Sequence, residues 1–404
     1  MRISGAQARA ALATLAGRPP VRAPVAAFEA ATAAFLGPRH AIAVGSGKAA
    51  LALVLSALRC RPGDGVVLAS FGVPEVPSLV RGMGLAPRFA DVDRDTLGLS
   101  PDAAAEAAGG GAAVVLATHL YGNPADLDRL GDVADRAGAS LVEDLAQALG
   151  ARWRGMRVGS VGRAGILSFG HMKNLTALGG GMAVTSDDDL ADRMRRGVAD
   201  LPVPGATGVL AALATAGAFR VATRPPAFDA AFPLLRAVEA ASPALLYGLA
   251  KMRPPEWETG SLDPRAVLTR MHPAQAACGL AGLDGVDADA AVRARNATRL
   301  RGALAGVEDL LWQEPLPRAE PAWTQVVVRV RDREGLKRRL LAHGVDTTWG
   351  YLRACHAMPG MPAPAARCPE SDAAERENLY IPAGPDLSDR DVDRVAEAVR
   401  AAVR

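Results

Sequence analysis

One stretch, residues 141–186, constrains the architecture more than any other part of the 404-residue chain. Two short apolar runs in it end in polar residues, the first leading into Asp144 and the second into Ser168. Short apolar runs bounded by turn residues are typical of buried parallel strands. Ligands of open α/β sheets bind beyond the carboxyl ends of such strands. We therefore expect Asp144, Ser168 and Lys173, five residues further on, to meet at one sheet edge.

A carboxylate and a lysine at such an edge indicate a site for pyridoxal phosphate. The lysine amine would bond to the aldehyde of this cofactor, and the carboxylate would keep the ring nitrogen protonated. The competing interpretation is a surface lysine and an aspartate that caps the following helix. These residues alone do not decide between the two interpretations.

A glycine turn closer to the N-terminus adds a candidate anion site. Gly45, Ser46 and Gly47 follow a predicted strand at 39–44 and precede a predicted helix at 49–58. Free backbone N–H groups and the helix dipole at such a turn favour a phosphate, although a plain tight turn is the alternative. The turn has no glycine at Walker A spacing, so it is not a P-loop. It also does not continue as a dinucleotide fingerprint, which leaves a Rossmann oxidoreductase without support.

Residues 142–151 and 168–175 together resemble the DegT/DnrJ/EryC1/StrS family of fold-type-I, pyridoxal-phosphate-dependent aminotransferases. The resemblance is dense over 23–194, resumes near Arg270 and fades in between. It implies an α/β fold with a large domain, built on a mixed and mostly parallel sheet, and a smaller C-terminal α/β domain.

The same resemblance suggests the domain boundaries. We assign 1–263 to the large, cofactor-binding domain and 264–404 to the small domain. Within the large domain, 201–263 has no parallel in the family and is interpreted as an atypical helical insertion. Its apolar parts within 201–258 favour a packed insertion over a surface that docks on a membrane or a partner protein, because their charges are sparse.

The resemblance implies roles for residues on these motifs. Catalysis is assigned to Lys173 and Asp144. The implied cofactor contacts are Gly45, Ser46, Gly47, Lys48, Phe71, Asp144, Gln147, Ser168 and Lys173. The implied substrate-side residues are His119, Tyr121, Arg270 and His356. For His119 a buried histidine with satisfied hydrogen bonds is the alternative, and Arg270 is also a candidate for the cofactor phosphate.

Three positions depart from the family pattern. Lys48 replaces a threonine, so that it either offers the cofactor phosphate a charge or points into solvent. Val73 replaces an aromatic residue that stacks on the cofactor ring, so that either Phe71 reaches over the ring or aliphatic contact replaces stacking. Leu268 replaces an asparagine that helps to bind the cofactor phosphate of the neighbouring subunit.

The functional expectation is transamination from glutamate or glutamine to a keto-sugar, which is nucleotide-linked for many members of the family. One alternative is a non-transaminating enzyme of the same fold, such as a sugar dehydratase. It is less well supported, because dehydratases of this family replace the lysine that is present here at position 173. The other is a chain that has lost catalysis and serves as a scaffold or regulator, which the three departures suggest.

Composition narrows the partners and the compartment. The net charge is +3 and the arginines are spread along the chain, which argues against nucleic acid. The four cysteines have no metal-ligand spacing, so we expect reduced thiols in a cytoplasmic protein and no bound metal. The family resemblance implies a homodimer.

Overall fold

The computed structural model describes residues 3–222, 260–348, 350–364 and 366–403. The α-helices in these ranges are α1 Gly5–Leu15, α2 Pro24–Leu36, α3 Gly47–Ala57, α4 Glu75–Gly82, α5 Pro101–Ala108, α6 Leu127–Ala137, α7 Asp188–Ala199, α8 Ala206–Ala222, α9 Pro273–Leu283, α10 Val286–Ala303, α11 Arg333–Ala342, α12 Pro369–Glu377 and α13 Asp389–Val403. The strands are β1 His40–Val44, β2 Gly65–Ala69, β3 Phe71–Gly72, β4 Ala86–Ala90, β5 Ala112–Thr118, β6 Ser140–Asp144, β7 Arg152–Trp153, β8 Met156–Arg157, β9 Ala164–Ser168, β10 Gly181–Thr185, β11 Leu311–Trp312, β12 Ala319–Glu320, β13 Val326–Arg329, β14 Arg353–Ala354 and β15 Asn378–Ile381. Short 3-10 helices lie at Leu120–Gly122, Pro264–Ala266 and Cys355–Ala357.

The largest sheet of the described residues has seven strands in the order β1-β10-β9-β6-β5-β2-β4. β9, β6, β5, β2 and β4 are mutually parallel, whereas β10 is antiparallel to both of its neighbours. The parallel strands are nearly continuous apolar runs, as strands covered on both faces must be. Because β6 and β9 are parallel neighbours, their last residues, Asp144 and Ser168, lie at the same edge.

Helices pack on both faces of this sheet and form two apolar cores. One core contains Phe28 and Leu130, and the other contains Leu51 and Leu79, all of them fully buried. Burying a side chain of this size contributes on the order of 1.5–3 kcal/mol to folding. The edge that carries Asp144 is therefore held between two packed layers.

A second, three-stranded sheet in the order β11-β13-β15 forms the smaller unit. Its core includes Leu300 of α10, Leu336 of α11 and Val399 of α13. The repeated apolar positions of α13 face this core, which is the amphipathic pattern expected from the sequence. The two sheets and their helices confirm the predicted α/β architecture of a large and a small domain.

The packing of α9 and α10 indicates where the large domain ends and the small domain begins. α9 packs against α1 and α2, and both Met271 and Leu283 belong to a core of the large sheet. Val286, at the start of α10, belongs to that core too, whereas Ala297 in the same helix contacts the small-domain core. We propose that the division falls within α10, rather than after residue 263 as the sequence suggested.

Asp263 and Pro264 have the sequence of a helix start, an N-cap residue followed by proline, but only a short turn begins there. Asp263 caps only the turn Pro264–Ala266, where its Oδ1 accepts a hydrogen bond from the Arg265 N–H at 2.9 Å. The long helix α9 begins at Pro273, and His272 and Gln275 form its capping box. Asp263 therefore caps a single 3-10 turn, and no α-helix follows that turn directly.

Part of the atypical region 201–263 is described through α8. This helix packs through Val209 and Ala216 against Ala11 and Leu178. The apolar run at 232–250 lies outside the described residues. So does most of the segment 201–258, which was considered as a surface that docks on a membrane or a partner protein. In the part of the chain that the structure describes, no helix is both long enough and apolar enough to cross a membrane.

Candidate active site

Asp144 ends β6 with its side chain buried. Its Oδ1 accepts a hydrogen bond from the Ala146 N–H at 2.9 Å. Burial raises the pKa of Asp144, while the Ala146 N–H and the charge of Lys173 oppose this rise. Because the charge of Lys173 acts on the pKa of Asp144, its ammonium lies close enough to interact electrostatically with the carboxylate. The structure thus brings together the two groups that the sequence analysis paired.

Ser46, Gly47 and Ser168 form a concave corner, which we call the anion cradle. Ser46 caps α3, because its Oγ accepts a hydrogen bond from the Ala49 N–H at 3.1 Å. A Cβ atom on Gly47 would lie 2.8 Å from the Ser168 Cβ, so the end of β9 closely approaches the start of α3. First-turn N–H groups beside a hydroxyl provide the donors that a phosphate requires.

Close backbone contacts at glycine residues form one side of the anion cradle. Gly179 and Gly180 have φ angles of 109° and 93°, a left-handed conformation that favours glycine. A Cβ atom on Gly181 would lie 2.3 Å from the Ser46 carbonyl carbon. At Gly45, a Cβ atom would lie 1.9 Å from the Thr269 Oγ1. The glycine run 179–181 thus lies directly against the helix cap formed by Ser46.

Hydrogen bonds from distant residues hold the loop that carries Lys173. The Asn174 Nδ2 donates to the Leu149 carbonyl at 2.9 Å, and the Asn174 Oδ1 accepts from the Thr324 Oγ1 at 2.6 Å. The Thr324 hydroxyl also contacts the Gln147 carbonyl. Asn174 and Thr324 were missed by the sequence analysis, because they are 150 residues apart and belong to no shared motif.

Lys173 opens onto a groove between the lysine loop and the small domain. The groove has a volume of about 220 Å³. Its lining residues are Met172, Lys173, Asn174, Arg293, Trp323, Thr324, Gln325, Val326, Pro382, Ala383, Gly384 and Pro385. Among these described residues there are two cationic side chains and no carboxylate. The groove therefore suits a small anionic ligand.

Gln147 and Tyr121 contact each other close to this site. The Gln147 Oε1 accepts a hydrogen bond from the Tyr121 backbone N–H at 2.9 Å, which fixes the amide three residues after Asp144. The Tyr121 side chain points away from the groove, since its hydroxyl oxygen lies 3.3 Å from the Asn378 Nδ2 and its surface is 1% exposed. The structure does not support the substrate-side prediction for Tyr121.

His119 is a structural residue in this fold. Its Nε2 lies 3.1 Å from the Glu143 Oε2, and its Nδ1 accepts a hydrogen bond from the Ala125 N–H at 3.0 Å. The side chain is 0% exposed. Both ring nitrogens are occupied inside the protein, so the alternative of a buried, satisfied histidine replaces the substrate-side prediction.

Phe71 is likewise buried. It is 2% exposed and packs in an apolar cluster with Val92, Leu120 and Tyr121. Its ring is therefore covered by these side chains, and its contact with the cofactor stays a prediction. Val73, which is half-buried, remains for aliphatic contact.

Arg270 and His356 lie apart from the Lys173 groove. Arg270 lines a different groove with Glu29, whose pKa its charge helps to lower against the dominant effect of burial. The His356 Nδ1 lies 2.5 Å from the Ser70 Oγ. Within a single chain, the structure does not bring either residue to Lys173, so the substrate-side predictions for both are unsupported.

Comparisons with known proteins agree with this arrangement. A family model described as the DegT/DnrJ/EryC1/StrS aminotransferase family matches residues 22–208 and 246–400. The erythromycin biosynthesis sensory transduction protein EryC1 of Saccharopolyspora erythraea is 32% identical over 379 residues, which are 93% of this chain and 89% of that protein. The dTDP-3-amino-3,4,6-trideoxy-alpha-D-glucose transaminase of Streptomyces venezuelae is 30% identical, over 92% of this chain and 85% of that enzyme.

Two further similarities concern part of the sequence and the whole fold. The L-glutamine:2-deoxy-scyllo-inosose aminotransferase of Streptomyces kanamyceticus is 43% identical over 161 residues, or 40% of this chain and 38% of that enzyme. The crystal structure of DesV from S. venezuelae is 28% identical with a TM-score of 0.75, over 99% of this chain and 95% of that one. The chain therefore belongs to the DegT/DnrJ/EryC1/StrS aminotransferase family and is an aminotransferase.

Proposed function

We propose that this enzyme uses pyridoxal phosphate to move an amino group from glutamate or glutamine to the ketone of a nucleotide-linked sugar. The observation that carries the proposal is that Lys173, which lines the groove, lies close enough to the buried Asp144 carboxylate for its charge to oppose the rise in the pKa of Asp144. The printed names of the relatives support the substrate classes. One is a transaminase of a dTDP-linked sugar, and another uses L-glutamine with an inosose.

The residues present fit pyridoxal phosphate. The anion cradle offers a capped helix N-terminus and a serine hydroxyl to a phosphate, and close contacts at Gly45, Gly47 and Gly181 hold the segments that form it together. Asp144 offers a buried carboxylate to a protonated ring nitrogen, and Lys173 offers an amine to the aldehyde. When bound, the cofactor supplies an electron sink for the carbon that loses a proton.

Asp144 is proposed to hold a proton on the ring nitrogen. Its buried site has already raised its pKa, so a nearby cation stabilises its ionised form more strongly than in water. The Ala146 N–H fixes one carboxylate oxygen and thereby the direction in which the other points. This geometry favours a charged hydrogen bond to a pyridinium nitrogen.

Lys173 is proposed to hold and move a proton at its Nζ when the amino donor is bound. For this role the amine must stay near the reacting carbon. Asn174, next to Lys173, is hydrogen-bonded on both sides of its amide group, which limits the motion of the loop. The adjoining Met172 is 51% exposed, so the loop can be reached from the groove side.

The groove beside Lys173 is proposed to receive the amino donor. At about 220 Å³ it is smaller than the pockets that hold drug-sized ligands, so an amino acid fits it better than a nucleotide sugar does. Arg293 in its wall provides a guanidinium, the group that best matches a carboxylate. A donor such as glutamate would therefore bind with a carboxylate near Arg293 and its amine near Lys173.

The test begins with the visible absorption spectrum of the purified protein. Added pyridoxal phosphate should give the band of lysine-bound cofactor, and glutamate or glutamine should then bleach it in the absence of any acceptor. A dTDP-linked keto-sugar should restore the band and yield an amino sugar, whereas a keto-cyclitol serves as the competing acceptor. A protein that never acquires the band contradicts the proposal, and restoration by the cyclitol alone corrects the acceptor class.

Arg293 can be tested separately. Arg293→Gln should raise the KM for glutamate about 10- to 100-fold with little change in kcat for the acceptor half-reaction, because a charged hydrogen bond to the donor is lost. Arg299→Gln is the matched control on the same helix, since the Arg299 guanidinium pairs with the exposed Asp393 instead. Equal donor KM values for the two variants would remove Arg293 from the donor site.

A regulatory function is the second candidate. The relative EryC1 is named as a sensory transduction protein, and three residues that depart from the family pattern are present here. A protein that binds the cofactor but does not bleach with any amino donor would favour this candidate. Complete turnover with glutamate or glutamine would reject it.

A further inference from the structure

Lys48 and Glu75 form a charge pair beside the anion cradle. Lys48 lies in the first turn of α3, directly after Gly47, and Glu75 is the first residue of α4. The Lys48 Nζ lies 4.0 Å from the Glu75 Oε1. We propose that the Lys48 ammonium binds the cofactor phosphate and, from the same position, neutralises the Glu75 carboxylate, so that the two residues act as one unit. This inference rests on the proposed use of pyridoxal phosphate.

The position of Lys48 supports a role in phosphate binding. Its backbone belongs to the same helix turn as Gly47, which closely approaches Ser168. Its side chain is 36% exposed, and its Nζ lies on the side of α4, 4.0 Å from the Glu75 Oε1. A flexible ammonium rooted at a helix N-terminus adds a full charge where the helix dipole already favours an anion.

Glu75 explains why a cation is needed at this position. Its side chain is 14% exposed, and among the described residues no hydrogen-bond donor reaches its Oε2. The charge of Glu75 also acts on the buried Cys355 thiol, whose pKa is raised chiefly by burial and in part by Glu75. A largely buried carboxylate with one long ion-pair contact is poorly compensated and would repel a phosphate dianion bound nearby.

The pair therefore makes an unusual prediction about substitutions. Loss of Lys48 alone should harm phosphate binding twice, because it removes one attractive charge and leaves one repulsive charge uncompensated. Removal of the Glu75 charge from the same variant should reverse the second effect. A side chain that merely points into solvent predicts no such rescue, and neither does a lysine that contributes only to folding.

The experiment measures the affinity of the cofactor-free protein for pyridoxal phosphate and for pyridoxal, which lacks the phosphate, by absorption titration. The variants are Lys48→Thr, Glu75→Gln and the double variant, with Lys337→Thr on α11 as the control for loss of a lysine far from the cradle. Thermal unfolding of each cofactor-free variant establishes that it is folded.

We expect Lys48→Thr to weaken binding of pyridoxal phosphate about 10- to 100-fold, as loss of a charged contact does. Glu75→Gln alone should bind it as tightly as the wild type or more tightly, and the double variant should recover most of the loss. Binding of pyridoxal should be the same in every variant, because the pair acts only on the phosphate.

Three results would overturn the inference. Lys48→Thr could bind pyridoxal phosphate like the wild type, it could lose pyridoxal to the same extent, or the double variant could be no better than Lys48→Thr. These outcomes differ from failure of the proposed function itself, in which the wild-type protein gives no band with either compound.

Discussion

Two sides of the site are built in different ways. We call the first the floor, made of Asp144, Ser168, Lys173 and the glycine run 179–181. The second set, which we call the wall, comprises the three residues that depart from the family pattern, Lys48, Val73 and Leu268. Of the floor residues, Asp144, Ser168 and Lys173 lie on the segments that resemble the family.

The difference follows from what each side is made of. The floor depends on strand ends and on backbone contacts too close for any side chain, such as that between Gly181 and Ser46. The wall is made of side chains that project from helices and loops, where a substitution moves no backbone. Leu268 is only partly buried against a core of the large domain. We therefore expect substitutions in the floor to change the reaction itself. Substitutions in the wall should change affinity and specificity instead.

The strongest way to break this comparison is Lys173→Ala. We expect kcat to fall about 10³-fold or more, because the group proposed to bond to the cofactor and to carry the proton is removed. The absorption band of lysine-bound cofactor should disappear as well. Lys337→Ala is the matched control and should retain both. Persistence of the band in Lys173→Ala would mean that the floor does not hold the reactive amine.

Asp144→Asn should separate activity from stability. Activity should fall about 10²- to 10⁴-fold, because an amide does not hold a proton on the ring nitrogen as a carboxylate does. The cofactor-free variant should nevertheless be more stable than the wild type at pH 8, since burial raises the native pKa of Asp144 and makes its ionisation unfavourable.

The sign of this stability effect can be checked with pH. The cost of ionising Asp144 is absent below its ordinary pKa of 3.8 and is complete once the pH exceeds the raised native value. The melting temperatures of variant and wild type should therefore converge as the pH falls. Asp187→Ala should behave in the opposite way, because the hydrogen bond that its carboxylate accepts from the Leu190 N–H lowers its pKa and its ionised form stabilises the fold. Parallel pH profiles for the two variants would contradict this account.

Gly181→Ala tests whether the floor is fixed by backbone contact. The added methyl group would overlap the Ser46 carbonyl carbon, so we expect a loss of about 1–3 kcal/mol in the free energy of unfolding. Gly302→Ala on α10 is the control, since a Cβ atom added there would meet nothing within 4 Å and alanine favours a helix. Equal free energies of unfolding for the two variants would show that β10 can move away from Ser46 without loss of stability.

Val73→Tyr sharpens the comparison with the smallest effect. An aromatic ring at this half-buried position of the wall should restore stacking on the cofactor, which is worth about 0.5–1.5 kcal/mol. Affinity for pyridoxal phosphate should therefore rise by up to about tenfold in an absorption titration, with kcat little changed. Val76→Tyr, three residues further along, is the control. A fall in affinity specific to Val73→Tyr would mean that the wall has no room for a ring.

The sequence was informative wherever a local pattern reflects a local constraint. The strand ends at Asp144 and Ser168 were predictable, because buried parallel strands are short apolar runs that end in turns. The glycine turn before α3 was predictable for the same reason. Family resemblance then linked these positions to Lys173.

Contacts between distant segments were not predictable. The partner of His119 is Glu143, on the neighbouring strand, and nothing in either local sequence indicates that pairing. Phe71 precedes a turn and looked accessible, yet its ring is covered by residues near Leu120. The pairing of Lys48 with Glu75 depends on how α3 and α4 are placed side by side.

The Thr324 hydroxyl has a mechanical consequence. Thr324 precedes β13 of the small domain, yet it contacts Asn174, the neighbour of Lys173, and the carbonyl of Gln147 near Asp144. One hydroxyl thus joins the start of a small-domain strand to the segments that carry Lys173 and Asp144. The position of the lysine loop therefore depends on where the small domain sits, and not on the large sheet alone.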